Sequence, residues 1–383
     1  MEEIRSEIPL GLYIHLPWCR RKCPYCDFNS HRHPVDLSTA AQHYANALLR
    51  EWRARAQLAQ GRSITSLYCG GGTPNLLPPE WYARLFAALR EQVEFAPDCE
   101  LTLEANPGEG RIHDYAGYVQ AGFNRISLGV QSFQGATLEA LGRDYTPEQL
   151  EQSLTRLSAS GVRSFNLDLL FAAPGQTPTM LGDDLAQALA WNTPHLSCYE
   201  LTLEPNTVFF SHPPDGLPQE EMKHHMFAQV EKTLLEKDFA HYEISAYVKK
   251  GHACRHNINY WEFGDYLALG AGAHAKITLV GGNRLLRYAN PKSPASYVAL
   301  HAFPEPHAQP RKEWFFQFCL NAFRLQGGVS LKKSANRLLT TPEKLLTDCR
   351  HLIATGAMLV QGDRLQLARR AWLNQNNLLE TMV

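Results

Sequence analysis

The chain has 383 residues, 44% apolar and 20% charged, a composition that supports a folded core and excludes wholesale disorder. Its formal net charge of −1 excludes a global electrostatic pull toward nucleic acid or an anionic membrane. No uninterrupted apolar stretch is long enough to span a bilayer, and the acidic start Met1-Glu-Glu-Ile-Arg-Ser-Glu7 lacks a signal-peptide core. Nine cysteines, an odd number scattered along the chain, do not form a disulfide framework, so a soluble, cytoplasmic protein is expected.

In chain order, short β-rich apolar runs alternate with longer helical patterns, which predicts α/β architecture built from parallel β/α units. The predicted strands are 12–15, 66–69, 101–105, 125–130, 165–171 and 196–203. Between the first two, Ala41, Tyr44, Ala45, Leu48, Leu49 and Trp52 recur at i, i+3, i+4 spacing as one face of a helix. Pro79-Glu80, Thr146-Pro147 and Thr177-Pro178 each open a further helix, with threonine as N-cap in the last two. Six such units predict a partial barrel, about three-quarters of an eight-fold one; an open doubly wound sheet fits the same periodicity.

Beyond residue 205 the pattern changes. Pro205, Pro213, Pro214 and Pro218 mark a long loop, followed by a predicted helix 219–237 and strand 241–247. A helix-rich tail starts near Arg311 and ends in a hairpin, 358–368, turning at Gly362-Asp363, which resembles a winged-helix module. The tail carries no dense basic stripe, so nucleic-acid binding is not expected. The expected division is 1–205 as barrel, 206–300 as a barrel-completing region and 301–383 as the C-terminal α+β module.

In β/α barrels the working residues gather at the C-terminal ends of the strands, so each motif here is expected to follow a strand. The first is Cys19-Arg-Arg-Lys-Cys23-Pro-Tyr-Cys26. Three thiolates can hold a 4Fe–4S cube with one iron left open to a ligand. Cys23-Pro-Tyr-Cys26 alone also reads as a thiol-redox pair, and the three cysteines with His31 or His33 could form a Cys3His zinc site. Gly70-Gly-Gly-Thr-Pro74 follows the second strand, where glycines let the backbone approach a ligand. Glu104-Ala-Asn-Pro-Gly108 ends the third and offers a carboxylate to a ribose diol. Gly129-Val-Gln131-Ser-Phe133 ends the fourth, with Arg143 in the helix expected to follow. Asp168 lies on the fifth among apolar residues, and a buried acid needs a partner, for which Arg143 is a candidate.

Together these motifs resemble the radical S-adenosylmethionine (SAM) superfamily and, within it, the heme chaperones related to oxygen-independent coproporphyrinogen III oxidase. The residues that carry the resemblance are the cysteine run through Asp27-Phe-Asn-Ser-His31, the two motifs 70–74 and 104–108, the stretch 124–133, and His256-Asn-Ile-Asn-Tyr-Trp261. It extends over roughly residues 9–275. It implies a radical SAM barrel in which Cys19, Cys23 and Cys26 ligate a 4Fe–4S cluster whose open iron is chelated by SAM. An electron passed to the sulfonium of that cofactor breaks a C–S bond and yields a 5′-deoxyadenosyl radical. The resemblance also implies SAM contacts from Tyr13, Tyr25, Gly71, Gly72, Thr73, Glu104, Gln131, Arg143, Asp168 and Thr202, with the glycine motif receiving the methionine amino group and Glu104 the ribose.

Inside the superfamily, the decarboxylating oxidases carry a further cysteine two residues after the third, and an N-terminal extension. Here that position is Phe28, and 18 residues precede Cys19, both features of the chaperone branch. That branch links the motif containing His256 to heme, with Cys254 and His252 nearby as further donors. It implies heme as cargo, acceptors such as respiratory cytochromes, a reductant such as flavodoxin or ferredoxin, and at most peripheral membrane contact. One departure stands out: relatives commonly carry a glycine where this chain has Ala172, in Phe171-Ala-Ala-Pro-Gly-Gln-Thr177. A Cβ there narrows the backbone freedom of the wall beside Asp168.

Overall fold

The computed structural model describes residues 8–108 and 114–382. Six strands follow in chain order: β1 (Leu10–Leu16), β2 (Ile64–Gly71), β3 (Phe95–Ala105), β4 (Arg125–Gln131), β5 (Ser164–Phe171) and β6 (His195–Glu200). Each is parallel to the next. A strand order that simply counts upward is that of a barrel wound in one direction; a doubly wound sheet reverses at a switch point. The barrel reading therefore holds over the doubly wound one.

Along each strand side chains alternate with period two between an outer and an inner layer. Leu12, Ile14, Leu67, Leu101, Leu103, Ile126, Leu128, Leu167 and Leu196 pack outward with helix residues such as Leu48, Trp52, Phe86, Leu154 and Leu185. Alternate positions, among them Tyr68, Glu104, Ser127, Asn166, Asp168 and Ser197, face a cavity inside the barrel. The covering helices start as their sequences predict. Asp36 caps Leu37–Arg55, Thr146 forms a capping box with Gln149 ahead of Pro147–Ser158, and Thr177 caps Pro178–Ala190.

The sheet continues past both barrel edges. The predicted strand 241–247 is in fact two antiparallel strands, β7 (Ala240–Glu243) and β8 (Ala246–Val248), with β8 beside β6. Four strands follow that the sequence reading did not find: β9 (Asp265–Leu269), β10 (His274–Leu279), β11 (Arg284–Ala289) and β12 (His307–Ala308). β9 is parallel to β1, and β10 to β12 run antiparallel outward from it. The predicted helix 219–237 forms as Glu220–Leu235. In the tail, short helices and a three-stranded sheet, β13 (Val329–Ser330), β14 (Met358–Gln361) and β15 (Arg364–Leu367), surround a second core around Trp314, Phe318, Leu345 and Trp372. The β14–β15 hairpin turns at Gly362-Asp363 as predicted. Among the described residues no helix is long and apolar enough to cross a membrane.

Candidate cofactor site

β1 runs into Pro17, after which Trp18–Cys19 pairs in parallel with His31–Arg32. This short pair closes a loop that carries Cys23 and Cys26, and the Cys26 N–H donates to the Cys23 carbonyl at 3.2 Å. Glycine at the end of β2 makes the approach possible. A Cβ on Gly72 would lie 2.5 Å from the Trp18 carbonyl oxygen, and one on Gly71, at φ +116°, would strike the His15 ring. The strand end is thereby stitched to the cysteine loop through Gly72 N–H to Leu16 O (2.8 Å) and Thr73 N–H to Trp18 O (2.7 Å).

All three thiols are free and line one cavity of about 350 Å³. With them lie Tyr25, Gly71, Gly72, Thr73, Glu104, Gln131, Arg143, Asp168 and Thr202, so the structure assembles nearly the whole expected set in one place. A hydrogen-bonded chain joins the first two cysteines through β2 and β3. The Thr73 hydroxyl donates to Cys19 Sγ (3.4 Å), and Asn106 Nδ2 donates to Thr73 Oγ1 (3.1 Å). Arg143 Nη2 donates to Asn106 Oδ1 (2.6 Å), while its Nη1 donates to Cys23 Sγ (3.4 Å). Asn106 was not singled out from sequence, although it sits in the motif that supplied Glu104. Burial raises the Cys19 and Cys26 thiols, against which the Thr73 bond to Cys19 works.

The residues fit a three-thiolate cluster. Three unpaired cysteines face one cavity, and polar hydrogens aim at two of their sulfurs, the kind of contact that tunes such clusters. Among the described residues no fourth cysteine lines the cavity. Neither candidate zinc histidine joins the trio. His31 Nε2 faces Asn29 Oδ1 at 3.2 Å, and His33 Nδ1 faces the Pro34 carbonyl at 2.8 Å. Among the described residues no three His, Cys, Asp or Glu side chains gather tightly enough for a single ion. An extended cluster asks instead for thiols spaced around its edges.

Glu104 accepts from the Tyr68 hydroxyl (2.8 Å) and the Gly71 N–H (3.0 Å). Burial, with the Asp168 charge adding to it, lifts its pKa to about 7 in spite of those bonds. Gln131 sits at φ 62°, a left-handed conformation of the kind that proteins maintain at ligand sites. Ala172 adopts φ 61°. The wall beside Asp168 thus keeps a glycine-like backbone, at a cost of about 1–2 kcal/mol for an L residue.

Two expectations are corrected, and one expected residue lies apart from the rest. Asp168 is not paired with Arg143: its carboxylate accepts from Ser127 Oγ (3.0 Å) and Asn166 Nδ2 (2.7 Å). Arg143 lies in the turn after the helix Gly135–Ala140, not within it. Tyr13 is outside the cavity wall, one layer behind Tyr68, and its hydroxyl donates to His15 Nδ1 at 3.0 Å.

The motif containing His256 forms the helix Arg255–Trp261, which packs against β1, β2 and β9 and closes the N-terminal end of the barrel. His256 is buried there. Its Nδ1 meets Ser66 Oγ at 3.1 Å, and its ring lies against Tyr68 and within 3.3 Å of a Cβ placed on Gly11. Desolvation pushes its pKa down to about 4. Cys254 and His252 are engaged as well, with Glu100 and Ser164. Only Asn257 of this helix reaches the cavity.

Comparison with known proteins agrees with this geometry. The Radical SAM superfamily model matches residues 13–188. The heme chaperone HemW of Haemophilus influenzae is 39% identical over 97% of both chains, and that of Escherichia coli 38% identical over 97% of both. The structure of coproporphyrinogen III oxidase (HemN) from Escherichia coli superposes with a TM-score of 0.78, covering 99% of this chain and 91% of that one at 22% identity, which establishes the shared fold. An upward-counting parallel barrel, a trio of thiols at its mouth and this degree of identity over nearly the full length place the chain in the HemW family of radical SAM proteins.

Proposed function

We propose that this chain is a heme chaperone: it binds heme together with a SAM-ligated 4Fe–4S cluster and passes the heme to acceptor proteins such as respiratory cytochromes. The observation that carries the reading is full-length similarity to relatives named as heme chaperones, combined with Phe28 where the oxidases carry a further cysteine. Phe28 is 57% exposed at the rim of the cavity and holds no metal-ligating atom.

In this reading Cys19, Cys23 and Cys26 hold the cluster, and the cofactor supplies one-electron chemistry at its sulfonium. Thr73 and Arg143 steady two of the sulfurs, Gly71 and Gly72 leave room for the amino-acid end of the cofactor, and Glu104 accepts from the ribose. The low-potential electron comes from a carrier such as flavodoxin or ferredoxin. The protein works in the cytoplasm and touches the membrane only through its acceptors.

The test is anaerobic purification and cluster reconstitution, followed by parallel heme titration and a coproporphyrinogen III assay. Stoichiometric heme binding without decarboxylated product is expected. Turnover of coproporphyrinogen would establish the oxidase reading in its place, and zinc without iron or sulfide would overturn both.

A further inference from the structure

Asn106, the residue after β3, joins the two side chains that donate to sulfurs of the cysteine trio. Its Oδ1 accepts from Arg143 Nη2 at 2.6 Å, and its Nδ2 donates to Thr73 Oγ1 at 3.1 Å. A guanidinium has no acceptor, so the atom facing it is the amide oxygen, and the amide nitrogen is thereby turned to Thr73. The direction of both sulfur donors follows. With a donor already at its oxygen, the Thr73 hydroxyl directs its own hydrogen to Cys19 Sγ (3.4 Å). With Nη2 held by Asn106 and by the Gly129 carbonyl (3.3 Å), Arg143 aims Nη1 at Cys23 Sγ and the Tyr25 hydroxyl, each at 3.4 Å.

The surroundings hold the amide in this place. The Asn75 side chain clamps the Asn106 backbone, accepting from its N–H (3.0 Å) and donating to its carbonyl (3.1 Å). A Cβ on Gly129 of β4 would lie 2.7 Å from Asn106 Oδ1, so the glycine leaves the room that the amide fills. An aspartate of nearly the same shape would not replace it. A carboxylate only accepts, so the Thr73 hydroxyl would turn to it and leave Cys19.

We propose that Asn106 is a positioning residue for the cluster: its amide fixes the direction of both sulfur donors and thereby sets the reduction potential. The proposal rests on the three-thiolate cluster reading and is independent of the cargo. Hydrogen bonds to the sulfurs favour the reduced, more negative cube, so releasing them lowers its potential. Asn106 acts on the sulfurs through Thr73 and Arg143, as outer partners do at metal sites generally.

The test is a reductive titration of the reconstituted cluster without SAM, followed by electron paramagnetic resonance. The proteins are the wild type, Asn106→Ala, Asn106→Asp, Thr73→Val and the double variant Asn106→Ala/Thr73→Val. Asn106→Ala, which adds no charge, is expected to make the cluster about tenfold harder to reduce, a fall of about 59 mV for one electron. Asn106→Asp should fall at least as far, because it loses the donor to Thr73 and adds a negative charge. In the Thr73→Val background, Asn106→Ala should shift the potential by less, because one of the two donors it directs is already gone. A wild-type potential in Asn106→Ala overturns the proposal, and so does a shift of equal size in both backgrounds. Loss of the cluster from both Asn106 variants, with the wild type loaded, would make the residue a support of the loop and overturn it as well. A wild type that takes up no iron and sulfide overturns the cluster reading together with the proposal.

Discussion

At the residue scale, Glu104 shows how burial prepares a side chain for one ligand. Its carboxylate is held by two donors, but desolvation outweighs them and leaves it titrating near pH 7. The groups facing it are Asp168, Tyr68, Tyr13, Cys69 and Tyr199, none of them cationic. A ribose diol donates best to the ionised form, so SAM affinity is expected to rise as pH increases through about 7 and to fall by up to tenfold per unit below it. Titration calorimetry at pH 6 and pH 8 measures this, and Glu104→Gln should flatten the profile. The stability sign is opposite: a raised acid pKa favours the fold at low pH, and that contribution is lost as pH rises from about 4.5 through 7. Glu104 and Thr73 were legible in sequence because each sits in a motif at or just beyond a strand end, and Arg143, beyond the helix that follows β4, was legible through the family resemblance. Asn106 was not, because it is hidden inside a motif whose acid draws attention.

At the element scale, the helix Arg255–Trp261 shows a recognisable motif whose place only the fold reveals. As a run of His, Asn, Tyr and Trp it suggests a ligand face; in the barrel it is a plug. The Arg255 guanidinium is tied to Asp98 at 2.9 Å, and Asn321 Nδ2 donates to the Tyr260 carbonyl at 2.8 Å, joining the plug to β3 and to the tail. His256 stays neutral in the fold down to about pH 4, whereas an unfolded histidine protonates near 6.5. Its contribution is therefore complete above pH 6.5 and lost as pH falls toward 4. Between pH 7.5 and 5 this one group should cost about 2 kcal/mol. Urea unfolding at both pH values should show the loss in the wild type and a loss smaller by that amount in His256→Gln. His15, His195 and His241 are also depressed but are common to both proteins, so they cancel in the difference. Identical pH dependence in the two proteins would remove His256 from the floor. β1 to β6 were readable because their outward faces are continuous aliphatic rows. The split between β7 and β8 was not, because Ile244-Ser245 reverses the chain without glycine or proline to mark it.

At the scale of the whole molecule, the strand order brings the last third of the chain back to the first motif. β9 pairs with β1, so the turn that follows it arrives beside the cysteine loop. Asn29, three residues after Cys26, spans the junction. Its amide donates to the carbonyls of Ala271 and Lys292, each at 3.0 Å, and its own carbonyl meets His15 Nε2 at 2.9 Å. Behind it, buried Glu51 gathers the Gly270 N–H, Asn290 Nδ2 and the Tyr297 hydroxyl, fixing that turn to the helix Leu37–Arg55. The loop that carries the thiols is therefore braced by residues about 240 positions away. Removing the Asn29 amide leaves two carbonyls without that donor and is worth about 1–3 kcal/mol locally, while the barrel core is untouched. Asn29→Ala and Asn29→Asp, neither of which can donate, should lose the visible absorbance of the reconstituted cluster several-fold faster in air than the wild type, with unchanged far-ultraviolet circular dichroism. Bleaching at the wild-type rate in both would show that the loop holds its geometry without the distant brace. Faster loss in Asn29→Ala alone would assign the effect to the volume of the side chain and not to its hydrogen bonds.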